Sequence, residues 1–182
     1  MKILVINGPN INMIGIREKG IYGTMTYEAI VQMIHEEAHQ RSIEVEVRQS
    51  NHEGVLVDWI QEAYFTQVDG IVINPGAYTH TSIAILDALK SIAPIPAVEI
   101  HLSDILQRES FRHISYPAMA CIGQIKGKGA QGYLEAIDLH YLIWKQLYTN
   151  LYYQLSAVWL APMLIFCPSF CVVLTILLRE SL

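Results

Sequence analysis

The chain has 182 residues, room for one domain of ordinary size and an appendage. Its formal net charge is -5 with only 12 Lys and Arg, which excludes the broad basic surface that nucleic acid requires. Three cysteines (Cys121, Cys167 and Cys171) are an odd number with no disulfide framework, and they fit a reducing compartment such as the cytoplasm.

Lys2–Asn7 reads as a first strand, an apolar run too short for a signal peptide. Residues 8–26 form a long connection in which Arg17 and Tyr22 stand among Gly15, Gly20 and Gly23, a pattern that predicts a mobile lid. Residues 27–41 form an amphipathic helix with Ile30, Val31, Ile34 and Ala38 on one face. Its Glu28 lies near the start and its Arg41 near the end, as the helix dipole favours. Glu44–Gln49 alternates Val45 and Val47 with charged residues, the mark of a half-buried strand. Ser50 and Glu53 match a capping box, predicting a helix that runs to about Tyr64.

Residues 71–74 are β-branched and apolar throughout, a strand buried on both faces. Pro75-Gly76 ends it, and Thr81 or Ser82 caps a helix with apolar Ile83, Leu86 and Leu89. Residues 94–96 turn into a fourth strand at 97–100, and Ser103 or Asp104 caps a short helix beyond it. A fifth strand at 120–125 and a Gly127-Lys128-Gly129 turn lead into a helix over 131–147. Five alternations of strand and helix predict a flavodoxin-like, doubly wound, five-stranded parallel sheet in three layers.

Gly127, Gly129 and Gly132 mimic a dinucleotide fingerprint, but they follow the last strand, and no βαβ unit comes after them. A tight strand-to-helix turn is the better reading. His35, Glu36 and His39 lack the order of a zinc protease and read as a solvated helix face. What remains is polar and gathers at predicted strand ends and in the lid: Asn10, Arg17, Tyr22, Asn74, His80, Asp87, Glu99, His101, Ser103 and Arg112. Glu99 and His101, two apart on an extended segment, point to one side, where the carboxylate would charge and orient the imidazole as a general acid. A free tyrosine titrates near 10, so a tyrosinate base near neutral pH needs a shift of about 2–3 units, roughly 3–4 kcal/mol. A partly desolvated Arg17 is one of the few groups able to supply that.

Six segments, in order, resemble type II 3-dehydroquinate dehydratase. They are Ile6-Asn7-Gly8-Pro9-Asn10; Arg17-Glu18 with Ile21-Tyr22-Gly23; Gln49-Ser50-Asn51-His52-Glu53-Gly54; Asn74-Pro75-Gly76-Ala77-Tyr78-Thr79-His80-Thr81-Ser82; Val98-Glu99-Ile100-His101-Leu102-Ser103; and Phe111-Arg112-His113. The resemblance covers residues 2–147. It implies a cofactor-free, metal-free lyase of the shikimate pathway, serving chorismate and aromatic amino acid biosynthesis. Such an enzyme dehydrates 3-dehydroquinate to 3-dehydroshikimate by anti elimination through an enolate.

In that scheme Tyr22 is the base, helped by Arg17, and Asn10 holds a water or dipole near the enolate oxygen. His101, backed by Glu99, protonates the departing hydroxyl. Asn74, Leu102 and Ser103 take the substrate carboxylate, and His80 and Arg112 take ring hydroxyls. Asp87 is donated across a subunit contact, which implies a homododecamer built as a tetramer of trimers. Lys19 departs from a common Pro, and Asp104 from a common Asn. The competing reading is a catalytically impaired flavodoxin-like binding or scaffold protein.

Composition divides the chain into an α/β domain, residues 1–147, and an atypical apolar tail, residues 148–182. Between Gln146 and Leu178 no Asp, Glu, Lys, Arg or His occurs. Residues 155–178 are long enough to span a bilayer, although Pro162 and Pro168 interrupt them, and Tyr148, Tyr152, Tyr153 and Trp159 suit an interface. A membrane-seeking segment, a helix buried in an oligomer and an out-of-frame extension are the three readings of the tail.

Overall fold

The computed structural model describes residues 1–16 and 25–164, and of 151–164 only the helix that they form. Five strands make one parallel sheet in the order β2-β1-β3-β4-β5. They are β1 (Lys2–Asn7), β2 (Glu44–Gln49), β3 (Gly70–Asn74), β4 (Ala97–His101) and β5 (Gly123–Lys126). The helices are α1 (Tyr27–Gln40), α2 (Glu53–Phe65), α3 (Ile83–Ser91) and α4 (Gln131–Leu164). This is the flavodoxin-like order that the alternation predicts.

Strand periodicity builds two cores, one on each face of the sheet. Ile3 and Val5 of β1, Val72 of β3 and Val98 and Ile100 of β4 meet Ile30, Ile34 and Ala38 of α1 and Tyr133, Ala136 and Ile137 of α4. Leu4, Ile6, Ile71, Ile73 and Ala97, on the opposite face, meet Leu56, Ile60 and Ala63 of α2 and Ile85, Ala88 and Leu89 of α3. Successive side chains of a strand point to opposite faces, so continuous apolar strands serve both layers at once. The three layers follow from that.

Several local expectations are corrected. Ser50 does not cap α2: the N-cap is His52, and the Ser50 hydroxyl accepts the His52 amide instead, so no capping box forms. Helix α3 is capped by Ser82, whose hydroxyl accepts the Ile85 amide, but its buried face is Ile85, Leu86, Ala88 and Leu89. Ile83, assigned to that face by spacing, is 56% exposed, because the buried stripe of the helix is centred on 85, 86, 88 and 89 and leaves position 83 on the opposite side. Asp104, not Ser103, caps the short 3-10 turn Ile105–Gln107. The fifth strand begins at Gly123 because Pro117–Ala120 is a 3-10 turn.

The last helix continues past Leu147 to Leu164, and the chain divides into two compact units, Met1–Tyr141 and Leu142–Leu182. In the second, Trp144 stacks on Tyr148 at 5.3 Å. Among the described residues no helix is long and apolar enough to cross a membrane. The rest of the span expected at 155–178, with Cys167, Pro168 and Cys171, lies outside the described residues.

Where β1 and β3 end, the loops that follow them are in backbone contact. The Gly8 amide donates to the Asn74 carbonyl at 2.7 Å, and a Cβ on Gly8 would stand 2.3 Å from the Pro75 carbonyl oxygen. A Cβ on Gly76, at φ +60, would stand 2.9 Å from the Pro9 carbonyl oxygen. Gly8→Ala is therefore expected to force the two loops apart and destabilise the domain by about 1–3 kcal/mol, measured as a lowered urea midpoint.

Candidate active site

A pocket opens at the carboxyl edge of the sheet, where β1 and β3 diverge to opposite connections. Open α/β sheets bind ligands at such a switch point. Asn10 enters from the loop after β1, Asn74 and His80 from the segment after β3, His101, Leu102 and Ser103 from β4 and its end, and Arg112 from beyond. Seven of the eleven residues expected from sequence are thus brought together.

The backbone explains how each is held. Asn10 adopts φ 65, the left-handed region that Asn tolerates, and its amide donates to Asn51 Oδ1 at 3.0 Å. Gln49 Nε2 reaches the same Asn51 oxygen and the Gly8 carbonyl, tying this loop to the end of β2. Beyond β4, the Gly127 amide donates to the His101 carbonyl at 3.1 Å and the Gly129 amide to the Leu102 carbonyl at 2.9 Å. The glycine cluster that mimics a dinucleotide fingerprint is a strand-to-helix turn that clamps the end of β4.

Glu99 is fully buried, which an ionised carboxylate tolerates only with several partners. Ser115 Oγ donates to both carboxylate oxygens at 2.8 Å, Gln124 Nε2 to one at 2.6 Å, and Thr79 Oγ1 to the other at 3.3 Å. His101 Nε2 stands 3.2 Å from Glu99 Oε1, within ion-pair distance though turned out of hydrogen-bond alignment. Burial pushes the Glu99 carboxyl up, but His101, Ser115 and Gln124 together outweigh it and hold the group below its ordinary range.

His80 is the opposite case. Its Nδ1 lies 2.8 Å from the Ile114 carbonyl, which only accepts, so Nδ1 carries the proton and Nε2 is an acceptor in the neutral ring. Burial lowers its pKa, and the neighbouring charges of His101 and Arg112 add to that. A neutral imidazole of this tautomer suits a ligand hydroxyl. Arg112 pairs with Glu109 at 2.9 Å and lies over the Phe111 ring at 5.2 Å, which fixes its direction.

Arg108 lines the same pocket, and its Nε is 3.6 Å from Glu109. Sequence reasoning missed it. The signal was its place four residues before Arg112, on the same polar segment. Glu99's partners Thr79, Ser115 and Gln124 were also missed, because they converge only when three segments meet. With two arginines and His101 around it, the pocket favours an anion despite the acidic chain.

Three expected residues are not among these. Asp87 is exposed on α3 and does not line the pocket. Arg17 and Tyr22 lie outside the described residues. The segment that carries them is bounded by neighbours, since a Cβ on Gly15 would stand 2.9 Å from the Thr26 Cα. Among the described residues, no cluster of His, Cys, Asp or Glu could hold a metal.

Fold and pocket define a flavodoxin-like α/β protein with an anion-favouring cleft at the carboxyl edge of its sheet. Residues 1–141 match the dehydroquinase class II family, and the chain belongs to it. A 3-dehydroquinate dehydratase of Lachnospira eligens is 59% identical over 138 residues, 76% of this chain and 94% of that one. One from Clostridium acetobutylicum is 61% identical over 137 residues, 75% and 94% of the two chains. The crystal structure of a type II dehydroquinase from Butyrivibrio crossotus superposes with a TM-score of 0.77 at 59% identity, covering 78% of this chain and 97% of its own.

Glu99→Gln tests the buried carboxylate. The folded-state carboxyl titrates below its unfolded value, so ionised Glu99 stabilises the fold above the ordinary carboxylate pKa, and that contribution is lost as the pH falls through the folded value. The difference in unfolding free energy between wild type and Glu99→Gln is expected to be largest near neutral pH and to shrink below about pH 4, measured by urea denaturation across that range.

Proposed function

We propose that this chain dehydrates 3-dehydroquinate to 3-dehydroshikimate, a lyase step of the shikimate pathway, by anti elimination. The observation that carries the reading is His101, seated on the buried Glu99 at the wall of a pocket lined by arginines, in a chain of the class II dehydroquinase family. The substrate is a carboxylate, which suits that charge.

Tyr22, with Arg17 beside it to favour tyrosinate, removes the proton alpha to the ketone. The electrons rest on the enolate oxygen, which Asn10 stabilises directly or through a water. Collapse of the enolate breaks the carbon–oxygen bond, and His101 gives its proton to the departing hydroxyl, which leaves as water. Glu99 stands beside the imidazole and favours the cation that a general acid requires. Asn74, Leu102 and Ser103 receive the carboxylate, His80 accepts from a ring hydroxyl through Nε2, and Arg112 donates to another. Proton, electron pair and hydroxyl are all accounted for by these residues, so the scheme calls on no metal or redox cofactor.

Formation of the conjugated enone from 3-dehydroquinate, followed by ultraviolet absorbance, tests this directly, and an inactive chain at high protein concentration would defeat it. His101→Ala and Tyr22→Phe are each expected to lower kcat by a factor of at least about 100, the scale of one general acid or base. Arg17→Ala is expected to move the rise of activity to higher pH, because the tyrosinate loses its cation; an unmoved profile counts against it. Asp87, exposed on α3, is proposed to serve a neighbouring subunit's pocket within a dodecamer. Light scattering is expected to give that assembly, and a monomer with full activity would overturn the role.

A further inference from the structure

Behind the pocket, three polar side chains are sealed in the core. Asn7 at the end of β1, Asn74 at the end of β3 and Tyr133 near the start of α4 are all buried, Tyr133 completely. The Tyr133 hydroxyl sits between the two amides, donating to Asn7 Oδ1 at 2.5 Å and accepting from Asn74 Nδ2 at 3.2 Å. The Asn74 oxygen in turn accepts the Gly76 amide at 3.3 Å.

A phenol has one proton. Spending it on Asn7 leaves only lone pairs toward Asn74, so Asn74 must turn its NH2 that way. The two ends of a side-chain amide have nearly the same shape, and packing alone does not distinguish them; hydrogen-bond partners do. With Oδ1 bound to the Gly76 amide and one Nδ2 hydrogen held by Tyr133, the donor left over on this pocket-lining residue is the second Nδ2 hydrogen. A carboxylate accepts from such a group, and a carbonyl in its place would repel it. The Tyr133 ring is accounted for by apolar packing between α4 and the sheet, but packing gives no reason for a hydroxyl there, since an unpaired one would be penalised.

We propose that Tyr133 is a positioning residue: its hydroxyl, anchored by Asn7, fixes the Asn74 side chain as a hydrogen-bond donor toward the bound anionic substrate. This rests on the dehydratase reading of the pocket. Burial raises the phenol's pKa, so the hydroxyl keeps its proton throughout the neutral range.

The experiment is a double-mutant cycle on the full chain with 3-dehydroquinate. Tyr133→Phe is expected to raise KM about tenfold, the scale of one buried hydrogen bond, with a smaller change in kcat. In an Asn74→Ala background the same substitution is expected to change KM by less than about twofold, because its effect passes through Asn74. A role confined to stability would lower the melting temperature alike in both backgrounds and leave KM unmoved. Asn7→Ala, which frees the phenol from its far side and is not itself a pocket-lining residue, is expected to give the same pattern and serves if Tyr133→Phe does not fold.

Independently of turnover, the Asn74 Nδ2 protons of nitrogen-15-labelled protein are expected to exchange with solvent at least about ten times faster in Tyr133→Phe, as one buried hydrogen bond is lost. Equal KM changes in both backgrounds, or an unchanged exchange rate, would overturn the proposal. A wild-type chain without turnover defeats the dehydratase reading instead, and the exchange measurement still decides Tyr133.

Discussion

At the carboxyl ends of β1 and β3 two neighbouring strands run on into connections that depart to opposite faces of the sheet, and the opening between those connections is the pocket. The opening keeps its shape because the loops are bonded at their roots, by the Gly8 amide on the Asn74 carbonyl and by the close approach of Gly8 to Pro75 and of Gly76 to Pro9. Only residues without a Cβ fit there. Asn10 continues directly from one root and Asn74 forms the other, so their separation is set by backbone contact rather than by side-chain packing. The buried hydroxyl of Tyr133 spans the same junction from below, joining Asn7 to Asn74. The pocket is therefore anchored to the junction of β1 and β3.

A second constraint is electrostatic. A carboxylate at Glu99 with no accessible surface is tolerable only because Ser115, Gln124 and Thr79 donate to it and His101 stands beside it. These donors come from three separate segments, so the charge acts as a tie between β4, β5 and the loop after β3. It also fixes the sign of the site. Glu99 is ionised and enclosed beside His101, while burial pushes the His80 imidazole toward its neutral form.

Beyond Tyr141 the chain leaves the segment shared with its relatives, and α4 continues to Leu164 in a stretch that lacks charge from Gln146 onward. The helix itself shows no break at Leu147, where composition changes. Composition and backbone report different things there. One records which side chains face water, and the other only that each residue sustains the hydrogen-bond ladder.

The sequence by itself determined the sheet and its order, because strands that are apolar on every residue can only be buried on both faces, and alternation with helices then dictates parallel crossovers. It also determined the pairing of Glu99 with His101, which follows from the two-residue repeat of a strand. The tertiary structure decided everything that depends on partners distant along the chain. Ser50 resembles a cap yet turns its hydroxyl elsewhere, Ile83 has the spacing of a core residue yet stands in solvent, and Arg108 joins Arg112 only because their segment folds over the cleft. Tyr133 is the clearest case. Its ring obeys the helix periodicity and is legible as core, whereas the hydroxyl has meaning only beside Asn7, 126 positions away, and no local pattern can encode a contact of that reach.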